Sequence, residues 1–345
     1  MRVPLPMKAV LEPLLDGRDL APEVMTQTMR GIMQGEYTPA QVAGFLIALR
    51  CKGETVGEIA AAAAVMRELA TPVEIPASAR KHLVDTCGTG GDASGIFNVS
   101  TASAMVVAAA GGHVAKHGNR SVSSQFGSAD VLEAAGVKVD LGPAGVARCV
   151  EELGVGFMFA PGYHSAMKHA IGPRRELGVR TLFNLLGPLT NPANAPCQVI
   201  GVFSSAWCAP IAEVMQRLGS EHVMVVHGQD GLDEISPVEP THVAELRMGE
   251  VRNYTIEPAT FGVTAHSLQP LRAASADESY TMIRQALGGR AGSVADMIAL
   301  NAGAGIYVAG LTSTLADGVN QAREVLASGT ALKTLNGLAA LSQQL

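Results

Sequence analysis

From about residue 80 onward, short apolar runs alternate with helical patterns, and that alternation leaves few folds open. Leu83-Val84, His113-Val114-Ala115, Phe157-Met158-Phe159, Gln198 to Phe203 and His222 to Val226 read as strands. Between them, Thr101 to Ala110, Ala129 to Ala135, Ala144 to Leu153 and Trp207 to Leu218 read as helices. This rhythm implies βαβ units around a mainly parallel sheet. Thr241 to Ile256 adds two strands with a hairpin turn at Gly249-Glu250, and after Asp277 the chain returns to helices ending in Leu332 to Leu341.

The first 72 residues have a different character. Met7 to Leu15, Pro22 to Gln34, Pro39 to Lys52 and Thr55 to Ala70 each carry apolar residues at helical spacing. Thr38-Pro39-Ala40-Gln41 is a helix start, with a hydroxyl cap, proline at the first position and glutamine at the third. Thr71 to Ser78, with Pro72 and Pro76, breaks the pattern and reads as a linker.

Composition narrows the function classes. With 48% apolar and 16% charged residues, a chain of 345 residues has ample surface to bury against its ordering entropy and is long enough for about two domains. The net charge of −6 argues against a general binder of nucleic acid or anionic membrane, which needs a basic face. Five cysteines (Cys51, Cys87, Cys149, Cys197, Cys208) form no CxxC pair and no even set, which favours free thiols in a reducing cytoplasm over a disulfide framework or zinc site. The opening MRVPLPMKAVLEPLLDGRDL has no long apolar core of a secretory leader, and the apolar run Ala102 to Gly112 is too short to span a bilayer.

Between Cys87 and Ser124 the sequence supplies three devices for holding phosphate. Gly88-Thr89-Gly90-Gly91-Asp92 follows a strand, and glycines there let backbone N–H groups approach phosphate oxygens. Its spacing is neither a Walker loop nor GxGxxG, and taken alone it is an ordinary strand-to-helix turn. Asn98-Val99-Ser100-Thr101 opens a helix, whose free N–H groups attract anions and whose hydroxyls suit Mg²⁺; simple capping is the competing reading. Lys116-His117-Gly118-Asn119-Arg120-Ser121-Val122-Ser123-Ser124 puts two cations, an imidazole, an amide and three hydroxyls on a loop at a strand's carboxyl end, where open α/β sheets bind ligands. The adjacent carboxylates Asp233 and Glu234 repel unless a cation intervenes. Arg174 and Arg175 offer a guanidinium fork for a carboxylate, or solvated surface charge.

In this order, the segments DTCGTGGD (85–92), FNVSTAS (97–103), KHGNRSVSSQFGSADVLEAAG (116–136), RRELGVRTLFNLLGPLTNP (174–192) and HGQDGLDE (227–234) closely resemble the anthranilate phosphoribosyltransferase family, as does the helical start GEYTPAQVAGFLIALRCKGET (35–55). The resemblance covers essentially the whole chain. It implies an α/β fold class: a small all-helical N-terminal domain plus a larger α/β domain with a central, mainly parallel sheet flanked by helices. The helical domain would take residues 1–76 joined by about 164–189, the α/β domain 77–345, and the assembly would be a homodimer. The implied activity is Mg²⁺-dependent transfer of the 5-phosphoribosyl group from 5-phosphoribosyl 1-diphosphate to the amine of anthranilate, the second step of tryptophan biosynthesis from chorismate.

Carried over by matching positions, Gly88, Gly91, Asp92, Ile96, Asn98, Val99, Ser100, Thr101, Lys116, His117, Gly118, Asn119, Arg120, Ser121, Val122, Ser123, Ser124 and Ser128 would surround the donor. Gly88, Asn119 and Arg174 would contact anthranilate, with Arg174 on its carboxylate, and Ser100, Asp233 and Glu234 would serve magnesium. The chain departs from the family at Ala93, often glycine, and at Ile96, commonly a donor-contacting threonine, so Ile96 can enter the site only through its backbone. No residue stands out as an acid or base. The competing readings are a pyrimidine-nucleoside phosphorylase and a non-catalytic nucleic-acid-binding relative; the acidic balance and the Asp233-Glu234 pair argue against the second.

Overall fold

The computed structural model describes residues 4–92, 94–120 and 126–345. Seven strands form one sheet in the order β3-β2-β1-β4-β5-β6-β7, with β1 Leu83–Gly88, β2 His113–Gly118, β3 Val155–Phe159, β4 Cys197–Gly201, β5 His222–Gly228, β6 Thr241–Arg247 and β7 Glu250–Ile256. The first five are mutually parallel; β6 and β7 close one edge as an antiparallel hairpin. From β1 the chain winds outward to β2 and β3 on one side, then returns to build β4 and β5 on the other. The reversal between β1 and β4 is the topological switch point, where the connecting loops part and leave a crevice.

Both faces of the parallel part are covered, as such a sheet requires. Val84, Val114, Val155, Val199, Met224 and Val226 join the core under helices Val99–Ala109, Pro143–Leu153, Ser293–Val308 and Thr330–Ser342. The alternate residues Ile200, Val223 and Val225 face helix Cys208–Arg217 and the helical bundle.

That bundle follows from its caps. Helices Met7–Leu15, Pro22–Gln34 and Pro39–Lys52 have the bounds the periodicity predicts, and the fourth runs Val56–Leu69. Thr38 and Gln41 form a reciprocal capping box, and Thr55 with Glu58 a second. Glu58 is buried and also accepts from Leu20 N–H and the Lys52 ammonium, each at 2.9 Å, which locks the bundle's loops. Helix Lys168–Leu177 packs against helices Pro22–Gln34 and Pro39–Lys52, and Ala170, Leu182 and Leu186 join their cluster. Among the described residues no helix is long and apolar enough to cross a membrane.

Several expected boundaries move. β2 runs on to Gly118, so Lys116, His117 and Gly118 are strand residues rather than loop residues. Their polarity disguises a strand whose end is buried, with Lys116 and His117 only 2% and 7% exposed. β4 stops at Gly201 instead of Phe203, and the hairpin turn is Met248-Gly249, with Glu250 opening β7.

β1, β2, β4 and β5 all end on glycine. The reason is close approach from above. A Cβ on Gly88 would lie 2.7 Å from an Asp233 carboxylate oxygen, and one on Gly201 only 1.6 Å from the Asp233 carbonyl oxygen. Loops can settle on the strand ends because no side chain stands there. Gly201→Ala should therefore push the 229–235 loop off the strand ends and destabilise the protein by roughly 1–3 kcal/mol in a denaturant titration. An unchanged midpoint would contradict the packing described.

Candidate active site

The glycine turn leaves β1 at the switch point and is stitched to its neighbours. Thr89 N–H donates to Gly201 O at 2.8 Å, Thr89 Oγ1 accepts from Phe203 N–H at 3.1 Å, and Gly90 N–H donates to Asp233 Oδ2 at 2.8 Å. Gly90 and Gly91 take φ of 64° and 81°, a region that favours glycine. Arg180, which the sequence reading passed over, donates to the Gly91 carbonyl and stacks on the Phe203 ring at 4.4 Å. It ties the 164–189 segment to this turn. The signal was present, a third arginine in RRELGVRTLFN, but nothing local shows which of the three reaches the sheet.

Three carboxylates gather here. Asp92 and Asp233 face each other, and Asp233 is pushed up to about 7, chiefly by burial and then by Asp92. Glu234 is raised well above the usual carboxylate range by burial and by Asp233, and its carboxylate accepts from the Ser100 N–H at the start of helix Val99–Ala109. Lys116 lies beneath. Its ammonium donates to Thr86 O and, at 3.2 Å, to Ser100 Oγ, and its charge acts on Glu234 and Asp85. Asp85 is fully buried and is held by His117 N–H at 3.2 Å and by Asn191 Nδ2 at 2.7 Å. The structure thus brings Gly88, Gly91, Asp92, Ser100, Lys116, Asp233 and Glu234 to one crevice.

Other expected site residues are placed differently. Val99 is 1% exposed, so only its backbone is available, and Thr101 is buried as well. Asn98 holds the N-cap position without a side-chain capping bond; its Oδ1 instead accepts from Ser279 Oγ at 2.9 Å. Ile96 forms a backbone bridge with Arg272 and packs its side chain on the core. Gly118 and Asn119 lie at the end of β2, where Ser128 Oγ donates to Asn119 O at 3.2 Å. Arg120 is turned toward Asp130 and Glu133 and lies over the Phe159 ring. Ser121, Val122, Ser123 and Ser124 lie outside the described residues, as does Ala93.

His117 and His164 pack with ring centroids 5.1 Å apart. Burial is the main cause that lowers them, to about 3 and about 4. Each bonds a backbone carbonyl (Gly187 and Thr190), while both Nε2 atoms are buried without a partner among the described residues. Neutral imidazoles in this arrangement present Nε2 as an acceptor. Nothing local in the sequence marks His164 as a partner of His117.

Arg174 is carried by helix Lys168–Leu177. It is half-buried, and burial lowers it; its guanidinium lies 5.2 Å from the Phe183 ring centroid and has no carboxylate partner among the described residues. A desolvated cation without a counter-ion is a site for an anion.

The donor set fits a hard divalent cation. Its ligands are oxygens, and its carboxylates are crowded enough to hold protons when no cation compensates them. Among the described residues no group of three or more His, Cys, Asp or Glu could hold a metal alone. Mg²⁺ binds through one or two carboxylates together with substrate phosphates.

Two family models match: the helical bundle domain of a glycosyl transferase family over residues 8–70 and its a/b domain over residues 80–332. The chain is 61% identical to the anthranilate phosphoribosyltransferase of Cellvibrio japonicus, across 98% of this chain and 99% of that one. A crystal structure of the Thermus thermophilus anthranilate phosphoribosyltransferase superposes with a TM-score of 0.91 at 46% identity, over 97% of this chain and 99% of that one. The Saccharomyces cerevisiae anthranilate phosphoribosyltransferase in complex with PRPP and Mg superposes at 0.88 with 26% identity, over 98% of both chains. With near-complete coverage at this identity, the chain belongs to the anthranilate phosphoribosyltransferase family.

Proposed function

We propose that this protein transfers the 5-phosphoribosyl group from 5-phosphoribosyl 1-diphosphate to the amine of anthranilate, giving N-(5-phosphoribosyl)anthranilate and pyrophosphate in tryptophan biosynthesis, with Mg²⁺ as cofactor. The observation that carries it is the crowded Asp92, Asp233 and Glu234 cluster facing a glycine turn and a helix start at the switch point. Asp233, Glu234 and Ser100 would hold Mg²⁺, which supplies charge neutralisation of the diphosphate when bound. The turn at Gly88 to Asp92, the backbone at Ile96 and Asn98 to Thr101, and the β2 end from Lys116 to Arg120 with Ser128 would line the donor; Ser121 to Ser124 belong to the same expected set.

Breaking the anomeric C–O bond builds positive charge on the ribose and negative charge on the departing diphosphate. Lys116 is held by two hydrogen bonds and would lie beneath that leaving group, so its charge would be preorganised instead of recruited during the reaction. Arg174 would take the anthranilate carboxylate, with Gly88 and Asn119 completing that contact and orienting the amine toward the anomeric carbon. The aniline nitrogen is neutral at pH 7 and needs no strong base, in keeping with histidines too acidic to serve as one.

The division into a helical part (1–76 with about 164–189) and an α/β part (77–345) is supported by the packing of Ala170 and Leu182 into the bundle's cluster. A homodimer through the bundle has support in an apolar groove lined by Leu14, Leu15, Ala43, Ile47 and Leu177, with Leu15 75% exposed. A cytoplasmic location is supported by the five free cysteines.

The activity is tested by the loss of anthranilate fluorescence on adding phosphoribosyl diphosphate and Mg²⁺. Wild-type protein should consume anthranilate, and the Asp233→Ala/Glu234→Ala double variant should lose roughly a hundredfold or more of that rate while still folding. Normal turnover and Mg²⁺ dependence in the variant would remove these carboxylates from the mechanism. The histidine pair generates a stability prediction. Both folded values lie below the ordinary 6.5, so the unfolded chain binds protons first and stability falls as pH drops from about 6.5 toward 4. Between pH 7 and pH 5 each histidine should cost about 2 kcal/mol of unfolding free energy. His164→Asn should lose correspondingly less over that interval; an identical loss in variant and wild type would show that His164 is not held neutral.

A further inference from the structure

The loop carrying Asp233 and Glu234 has an internal brace. Ser236 Oγ donates to Asp230 Oδ2 at 2.6 Å, Ser236 N–H donates to Thr241 Oγ1 at 3.0 Å, and Gly228 N–H donates to Leu232 O at 2.9 Å. None of these bonds reaches Ile235, the residue directly after Glu234. The Ile235 side chain packs in the core, and among the described residues both its backbone groups are hydrogen-bonded by a single side chain from outside the loop. Asn301 Oδ1 accepts its N–H at 2.8 Å, and Asn301 Nδ2 donates to its carbonyl at 3.0 Å. The second Nδ2 hydrogen goes to Met297 O at 3.0 Å, one turn back in the same helix. Every donor on this amide is therefore used, in a position that is 2% exposed.

The anchor itself cannot easily yield. Helix Ser293–Val308 is buried continuously from Met297 to Val308. It meets neighbouring elements at backbone distance: a Cβ on Gly303 would lie 2.6 Å from Val319 Cα, and one on Gly305 2.7 Å from a Val107 methyl. Asn301 also lines a small gap with Glu234, Ser100, Thr86 and Cys87, so it stands directly beside the acidic pair. The Asn301 grip therefore fixes the peptide that directly follows the crowded acidic pair.

Resting on the reading of Asp233 and Glu234 as cation ligands, we propose that Asn301 is a positioning residue for the magnesium–diphosphate complex: by gripping both backbone groups of Ile235 it aims the two carboxylates at the Gly90 turn and the Ser100 helix start. Binding of phosphoribosyl diphosphate to full-length protein, without acceptor, is measured by titration calorimetry in Mg²⁺ and in EDTA. Wild type, Asn301→Ala, Asn301→Gln (which lengthens the tether) and Ile298→Val (a destabilised control on the same helix) are compared. Mg²⁺ should tighten donor binding to wild type and to Ile298→Val alike. In both Asn301 variants that gain should shrink by about tenfold, with binding in EDTA and the KM for anthranilate little changed. Asn301 variants that fold and keep the full Mg²⁺ gain would overturn the proposal. So would failure of both to fold, which would make Asn301 a residue of the fold alone. A wild type with no Mg²⁺ gain would instead sink the parent reading of the acidic pair, and Asn301 with it.

Discussion

A carboxylate-bearing loop lies directly on bare backbone at the carboxyl ends of the central strands, and most of the site depends on that contact. Gly88 and Gly201 are paired in register at the ends of β1 and β4, and both are covered by Asp233. Any side chain at either position would lift the loop. Removing it would separate the acidic pair from the turn to which Gly90 N–H binds it. The switch point opens the crevice, and the glycines let an anionic wall close one side of it.

That closeness sets up an electrostatic debt. Asp92, Asp233, Glu234 and the fully buried Asp85 are gathered where Lys116 acts on Glu234 and Asp85 and the Arg180 guanidinium is bonded to the Gly91 carbonyl. These two cations, already committed to Thr86 O, Ser100 Oγ and the Gly91 carbonyl, do not balance four carboxyl groups. A divalent cation would, and a diphosphate brought with it would meet the backbone N–H groups of the turn and the helix start. Substrate, cation and loop then stabilise one another. At Arg174 the imbalance is the opposite: it is desolvated against Phe183 without a counter-ion among the described residues, and an aromatic carboxylate there would supply the missing negative charge. Arg180 links the two halves, since it belongs to the segment that carries Arg174 yet binds the Gly91 carbonyl.

Much of this was legible in the sequence, for local reasons. Helices Pro22–Gln34 and Pro39–Lys52 start and stop as read because proline, capping threonine and glycine act within a few residues. The glycine turn, the helix start at Asn98 and the Asp233-Glu234 pair carry their own chemistry wherever they sit. The end of β2 was hidden, because Lys116-His117-Gly118 has the polarity of a loop, and only a buried charged site makes a strand end on such residues. The remaining partners depend on tertiary contacts. Gly90 meets Asp233 across 143 positions, Asp85 meets Asn191 across 106, and Ile235 meets Asn301 across 66. No periodicity or spacing encodes these pairings. An asparagine inside a buried helix reads as an oddity until its partner is seen.

The central claim is that the acidic pair holds a divalent cation against the donor's diphosphate. Manganese is chemically close to magnesium in its preference for oxygen ligands and scatters X-rays anomalously, so crystals grown with Mn²⁺ and phosphoribosyl diphosphate test it directly. The account predicts an anomalous peak at coordination distance from carboxylate oxygens of Asp233 or Glu234 and from diphosphate oxygens. Donor bound in the crevice with manganese elsewhere, or with both carboxylates turned away from it, would contradict the account.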